Sequence, residues 1–227
     1  MNALNVLGID LGASSGRAML GTLEGKKLTI REIHRFLNEP VTLCGRFVWD
    51  MPRLFHEIKQ ALLKHSRSGE TVDAIGIDTW GVDFGLLDKN GHLLSLPVHY
   101  RDARTNGIPE KVRAIIPDEE LFARTGIAFN SFNTLYQLYA MKEEGDPALE
   151  SAQDLLFLPD LLAYFLTGKK GTEYTIASTS QLLNPFTRDW DRELMAKLGI
   201  PAHIFGEVKL PGTVRGTLLP EIARECG

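Results

Sequence analysis

Several short stretches of this chain bring carboxylates, hydroxyls, small residues and aromatics together at spacings that could do chemistry. The first is DLGASSGR, Asp10 to Arg17: a carboxylate ending an apolar run, then a turn of Gly12, Ala13, Ser14, Ser15 and Gly16. Small residues let a backbone approach a phosphate closely, N–H groups and hydroxyls bond its oxygens, and Arg17 adds positive charge. The stretch is not a GxxxxGK[ST] loop, and it leads into a strand, so no helix terminus supplies the field. Asp10 is suited to hold Mg²⁺ through water, because magnesium keeps several waters and takes few carboxylates. A hairpin turn whose serines bond the backbone, with Asp10 as its cap, would read the same way.

Further along, IDTWGVDF sets Asp78, Thr79, Trp80, Gly81 and Asp83 at the end of an apolar run. In open α/β sheets the carboxyl ends of strands border the ligand crevice. There Gly81 would let a hydroxylated ligand approach the backbone, and Trp80 would offer a flat wall to its C–H face; a core tryptophan beside a turn is the competing reading. PVHYRDARTN adds Tyr100, Arg101, Asp102, Arg104 and Asn106, donors and acceptors that suit a polyol or, alternatively, a salt-bridged loop. NSFNTLYQL carries Asn130, Phe132, Asn133 and Gln137 into a helix, with Phe132 either completing an aromatic wall or stapling the helix start. EYTIASTSQLLN, Glu173 to Asn184, reads by chemistry as a helix cap or loop. The six His residues form neither a metal spacing nor an evident Ser/His/Asp set, and Cys44 and Cys226 stand in no paired motif.

These stretches need a scaffold, and the periodicity supplies one. VLGID, RAMLGTL and LTIREIHRF are strand-like runs separated by tight turns, and they predict a three-stranded antiparallel meander. A helix is expected from about Pro52 to His65, with Leu54, Phe55, Ile58, Ala61 and Leu62 on one stripe. DAIGIDTWG reads as a strand covered on both faces, and FGLLDKNGHLLSL as a hairpin turning at Asn90 and Gly91. Beyond Arg101 the character becomes helical, with candidates at 109–116, 119–125, 134–144, 158–166 and 191–198 and closing glycines at Gly126, Gly168 and Gly199. The tail GTVRGTLLPEIARECG predicts a strand and a short helix. The fold class is α/β, with a sheet-bearing part over 1–106 and a mainly helical part over 107–227.

With 227 residues, 44% of them hydrophobic, the chain has enough apolar surface for a substantial core. A net charge of -4 with interspersed signs gives no footprint for nucleic acid or an anionic membrane. The longest apolar runs are broken before they could span a bilayer, and MNALNVLGID carries no leader pattern, so a cytoplasmic protein with a small-molecule partner is expected.

Taken together and in order, DLGASSGR, IDTWGVDFGLLD, LPVHYRDARTN, NTLYQL, LPDLLAYFLTG and EYTIASTSQLLN resemble the first domain of the FGGY carbohydrate kinases, and within them the rhamnulokinase branch. The resemblance covers the chain from Val6 to about Gly216. It implies an actin-like ATPase fold, related to ribonuclease H, in the first of two domains. It also implies transfer of the γ-phosphoryl group of ATP to the 1-hydroxyl of L-rhamnulose, with Mg²⁺. By motif it assigns Ala13, Ser14, Ser15, Gly16 and Arg17 to the ATP phosphates and Asp10 to the magnesium side. Gly81 goes to the sugar, with Thr79, Trp80, Tyr100, Arg101 and Phe132 around it. A larger side chain commonly stands at the position of Gly81 in related kinases for other substrates.

The family's proton-accepting aspartate lies in a small-residue motif of the second domain, and no such motif occurs before Gly227. The resemblance therefore implies that these residues alone lack a catalytic base and turn over little or not at all, unless Asp78, Asp83 or Asp102 serves instead. An apolar surface facing the second domain would favour self-association. Two alternatives use the same motifs: a kinase for another ketose or polyol, and a non-catalytic sugar-binding or assembly module. An actin-like or chaperone-type ATPase would share the phosphate turn but not IDTWGVDF or YRDART.

Overall fold

The meander forms as the alternation demands. In the computed structural model, which describes residues 3–227, β1 (Leu4–Leu11), β2 (Ser15–Glu24) and β3 (Lys27–Leu37) pair antiparallel in chain order. A small hairpin follows, β4 (Val41–Leu43) and β5 (Arg46–Val48), turning through Cys44 and Gly45 at φ 50° and 80°, the left-handed pair that a two-residue hairpin loop requires. The helix α1 (Met51–Ser66) is capped by Asp50, whose side chain accepts from the Arg53 N–H, and carries a Pro in its first turn. Its buried stripe Leu54, Ile58, Ala61, Leu62 recurs every three or four residues and closes over the sheet. The chain then returns as β6 (Ala74–Thr79), parallel to β1, completing the order β3-β2-β1-β6.

Side-chain alternation splits this sheet into two faces. Leu7, Ile9 and Leu11 point into a core shared with α1, whereas Gly8 and Asp10 lie on the opposite face beside Gly76 and Asp78.

The remaining elements are β7 (Phe84–Leu87), α2 (Ile108–Arg113), α3 (Asp118–Thr125), α4 (Thr134–Glu144), α5 (Pro147–Ser151), β8 (Asp154–Phe157) and α6 (Leu158–Thr167). After them come β9 (Thr172–Glu173), α7 (Tyr174–Ser178), β10 (Leu183–Asn184), β11 (Asp189–Trp190), α8 (Arg192–Leu198), β12 (Val208–Lys209) and α9 (Pro220–Cys226). Gly126, Gly168 and Gly199 close α3, α6 and α8 at φ 66°, 68° and 66°, the left-handed cap a glycine adopts freely.

Three expectations fail. The turn at Asn90–Gly91 exists, with Asp88 Oδ1 accepting from the Asn90 and His92 N–H groups, but the hairpin beyond it amounts to one bridge between Leu87 and Leu93. β7 instead pairs along its length with β8, from Phe84 opposite Phe157 to Leu87 opposite Asp154. FGLL is buried at every position and needs an apolar partner, which DLLF supplies. In the tail, residues 213–219 form no strand; they run as an extended strap over α6, held where the Leu219 N–H donates to the Leu166 carbonyl at 2.8 Å. The expected helix over 109–116 also ends early, at Arg113, just ahead of Pro117.

Two cores result. One gathers the helices and short strands between Phe84 and Phe205; the other lies between the sheet and α1 and recruits α6 and α9 from the C-terminal half, so the packing crosses the break near residue 106.

Candidate active site

Because β1 and β6 run parallel in register, Asp10 beside Asp78 and Leu11 beside Thr79, the turn 12–14 and the loop 80–83 leave from adjacent strand ends. Ala13, Trp80 and Tyr100 pack against the same core. The two principal motifs therefore share one edge of the sheet, as one reaction centre would require.

The turn is tightly built. The Gly12 N–H donates to the Ser15 carbonyl at 2.9 Å. A Cβ on Gly16 would stand 2.3 Å from the Phe36 ring, so the small residue there meets a packing demand from β3. Asn38, just past β3 and 5% exposed, holds the turn from outside: its N–H donates to the Ser14 carbonyl at 3.0 Å and its Nδ2 to the Gly12 carbonyl at 2.9 Å. Sequence reasoning passed over Asn38, because an asparagine after a strand looks like any loop residue. Arg17 donates through Nε to Asp10 Oδ2 at 2.8 Å, both side chains half-exposed. Asp10 and Asp78 lie side by side on the open face, an oxygen donor set that suits a magnesium ion completed by water and phosphate oxygens. Among the described residues no group of three or more His, Cys, Asp or Glu gathers as a closed metal cage.

Around the loop after β6 the residues form an aromatic cluster. Trp49 and Trp80 lie with centroids 3.9 Å apart, their planes tilted by 32°; His99 lies 4.1 Å from Trp49 and 4.4 Å from both Phe47 and Tyr100; Phe132 meets Tyr100 edge-on at 5.6 Å. The Arg101 guanidinium lies 5.5 Å from the Tyr100 ring centre, and the Thr79 hydroxyl donates to the Trp80 carbonyl at 2.7 Å. The side of Gly81 where a Cβ would stand is filled by Thr179, 2.9 Å away, so the small residue there meets a packing demand from the segment after α7. Trp49, in the junction between β5 and α1, belongs to no motif singled out in the sequence, and Thr179 comes from the stretch read as a cap or loop.

Asp83 and Asp102 lie beneath this cluster, both buried. Asp83 accepts from the Trp49, Trp80 and Gln137 side chains and the Tyr100 N–H. Burial pushes its carboxyl up to about 6. Asp102 accepts from the Phe47 and Arg104 N–H groups and meets Arg46. With their oxygens occupied, neither presents itself to a reacting hydroxyl, whereas Asp78 is exposed. Arg104, held down to about 10 by burial, stays a cation and donates to Gln137 Oε1 at 2.5 Å. Asn130 and Asn106 are exposed, and Asn133 is spent on Ala128 and Gln181, so none of the three joins the cluster.

A meander, a covering helix and a parallel fourth strand, with ligand-type motifs at the strand ends, define an actin-like, ribonuclease H-related α/β domain of the sugar kinases. The chain belongs to the FGGY family of carbohydrate kinases, whose N-terminal domain profile matches residues 5–227. It is 44% identical to the rhamnulokinase of Oceanobacillus iheyensis, over 97% of this chain and 47% of that one. It is 47% identical to the rhamnulokinase of Mannheimia succiniciproducens, over 93% and 44%. In fold it matches gluconate kinase from Lactobacillus acidophilus with a TM-score of 0.88 at 19% identity, over 99% of this chain and 46% of that one. The chain spans about half the length of the curated relatives it matches. Among the described residues no helix is long and apolar enough to cross a membrane.

Proposed function

We propose that this chain forms the sugar-facing and phosphate-facing part of an ATP-dependent kinase that phosphorylates L-rhamnulose at its 1-hydroxyl. The observation that carries this reading is the convergence, at one sheet edge, of the phosphate turn after β1 and the aromatic cluster around the loop after β6, in a chain 44–47% identical to rhamnulokinases. In this reading Ala13, Ser14, Ser15, Gly16 and Arg17 face the ATP phosphates, and Asp10, with Asp78 beside it, holds Mg²⁺ through water. Bound there, magnesium neutralises charge on the phosphate oxygens. The Arg17–Asp10 pair is an exposed ion pair worth little in water, so opening it toward a cation and a phosphate costs little. Gly81 with Thr79, Trp80, Tyr100, Arg101 and Phe132 receives the sugar: the rings take its C–H face, and Arg101 and the loop backbone take its hydroxyls. Domain 1–227 then works with residues corresponding to the remaining length of its relatives, which supply the rest of the nucleotide site and the proton acceptor.

Calorimetric titration with L-rhamnulose and a panel of ketoses, followed by ATP-dependent phosphorylation of the same sugars by the protein, tests the reading. Selective heat of binding with L-rhamnulose is expected. Equal or stronger binding of another ketose would move the assignment to that sugar, and absence of all sugar binding would remove it.

A further inference from the structure

We infer that Asp83 is the positioning residue of the sugar site, fixing the aromatic wall by gathering the N–H groups of three chain segments on one carboxylate oxygen. This rests on the sugar-kinase reading above and adds a role to a residue which that reading leaves out.

The oxygen is Oδ2. It accepts from Trp49 Nε1 at 2.6 Å, Trp80 Nε1 at 3.0 Å and the Tyr100 backbone N–H at 3.1 Å. Those donors come from the β5–α1 junction, the loop after β6 and the segment before Asp102; the first and last already meet at the Val48–Val98 bridge, where the Trp49 backbone N–H donates to the Pro97 carbonyl at 2.9 Å, and Asp83 ties the loop after β6 to both. One acceptor shared by two indoles sets both rings at once, because each N–H lies in its ring plane and points along a fixed direction. Trp49 is fully buried and only backs the wall; Trp80 and Tyr100 stay partly open and are the surfaces a sugar would meet.

The second oxygen ties the wall to the helical half. Oδ1 accepts from Gln137 Nε2 at 3.0 Å, and Gln137 Oε1 accepts from Arg104. The cation that balances Asp83 is therefore reached through an amide, and all of the direct hydrogen bonds recorded to Asp83 come from uncharged N–H groups. A buried carboxylate without a direct cation is costly, and it persists where its donors are needed in place.

The neighbouring backbone is under strain as well. Val82, β-branched, sits at φ 67°, a conformation such residues rarely adopt. Its N–H donates to Thr179 Oγ1 at 3.0 Å, and its carbonyl accepts from Thr134 Oγ1 at 2.7 Å. Hydroxyls from two separate helical segments thus hold a strained residue between the glycine facing the sugar and the buried aspartate. Strain and a buried charge at consecutive positions mark a place where geometry is kept at the expense of stability.

Asp83→Asn and Trp49→Phe test the inference. Asparagine turns an N–H₂ toward donors wherever its oxygen does not face, and Trp49→Phe deletes one N–H onto Oδ2 at a residue that cannot touch sugar. For both, assayed with residues corresponding to the remaining length of the relatives present, the KM for sugar is expected to rise about tenfold, with the KM for ATP within about twofold. The near-UV circular dichroism of the coupled Trp49–Trp80 pair should weaken while the far-UV spectrum is retained. If Asp83→Asn does not fold, Trp49→Phe decides alone. Unchanged sugar KM and an indole signal reduced only by the missing chromophore would overturn the role of Asp83. If wild type, assayed together with residues corresponding to the remaining length of its relatives, phosphorylates none of the sugars, the kinase reading falls, and the spectra of Asp83→Asn and of Trp49→Phe still decide whether the carboxylate sets the indoles.

Discussion

Asp83 and His99 titrate in the same window with opposite sign. Burial lifts the Asp83 carboxyl from 3.8 to about 6, so the folded state binds the extra proton, and its contribution to stability is lost as pH rises through that range. Burial and Arg101 press His99 from 6.5 to about 4. Its ring stacks on Trp49 and Phe47, and its Nδ1 accepts from the Arg101 N–H, which fits a neutral imidazole. Its contribution is lost as pH falls through 6.5 toward about 4. Each amounts to ~3 kcal/mol, so in wild type they largely cancel. Asp83→Asn leaves His99 unopposed, with Arg46, Arg101, Asp102 and Arg104 around the site unchanged. Its melting temperature should therefore drop relative to wild type as pH is lowered from 6.5 to 4, and a pH-independent gap would contradict this. At the turn between β1 and β2, Asn38→Ala deletes the bond to the Gly12 carbonyl at 2.9 Å. It should cost ~1 kcal/mol of stability and raise the KM for ATP several-fold without moving that for sugar; unchanged nucleotide kinetics would make Asn38 a purely structural residue.

The β1–β2–β3 meander carries its own packing constraint. Phe36 of β3 lies across Gly16 of β2, its register partner, so a methyl group at Gly16 would overlap the ring at 2.3 Å. Gly16→Ala is expected to destabilise the domain by ~1–3 kcal/mol through overpacking. Adding Phe36→Leu should recover part of that loss in a urea titration. No recovery would place the glycine's importance in the turn's backbone instead of in the ring above it.

Across the whole molecule, the strap over α6 links the two ends of the chain's core. Arg215 reaches Asp160 at 2.8 Å, where the Glu173 N–H also donates, and α9 beyond it packs Ile222 and Cys226 into the core of α1. Burial pushes the Asp160 carboxyl up to about 7 even with Arg215 beside it. Without that guanidinium, burial raises it further and the carboxyl takes up a proton at pH 8. Arg215→Ala should cost ~1 kcal/mol at pH 8, and less at pH 5 where Asp160 is protonated in both proteins. Hydrogen exchange should rise over residues 213–226; exchange unchanged there would show that α9 docks without the strap.

Local chemistry made much of this protein legible in its sequence. Alternation specified the meander and the central strand, a three-to-four-residue stripe specified α1, and three glycines marked helix ends where a left-handed residue was needed. Such rules act over a few residues, and the backbone obeys them wherever the segment finally packs. The turn between β1 and β2 and the Trp80–Gly81 loop were likewise recognisable as short motifs. Partnership was decided only in three dimensions. FGLL chose β8, some seventy residues on, over its adjacent Asn–Gly turn because a fully buried strand gains most from an apolar neighbour. Asp83 drew Trp49 from one side and Gln137 from 54 residues away on the other, since a buried carboxylate takes whichever donors the fold brings within reach, and no spacing in the chain records which those are.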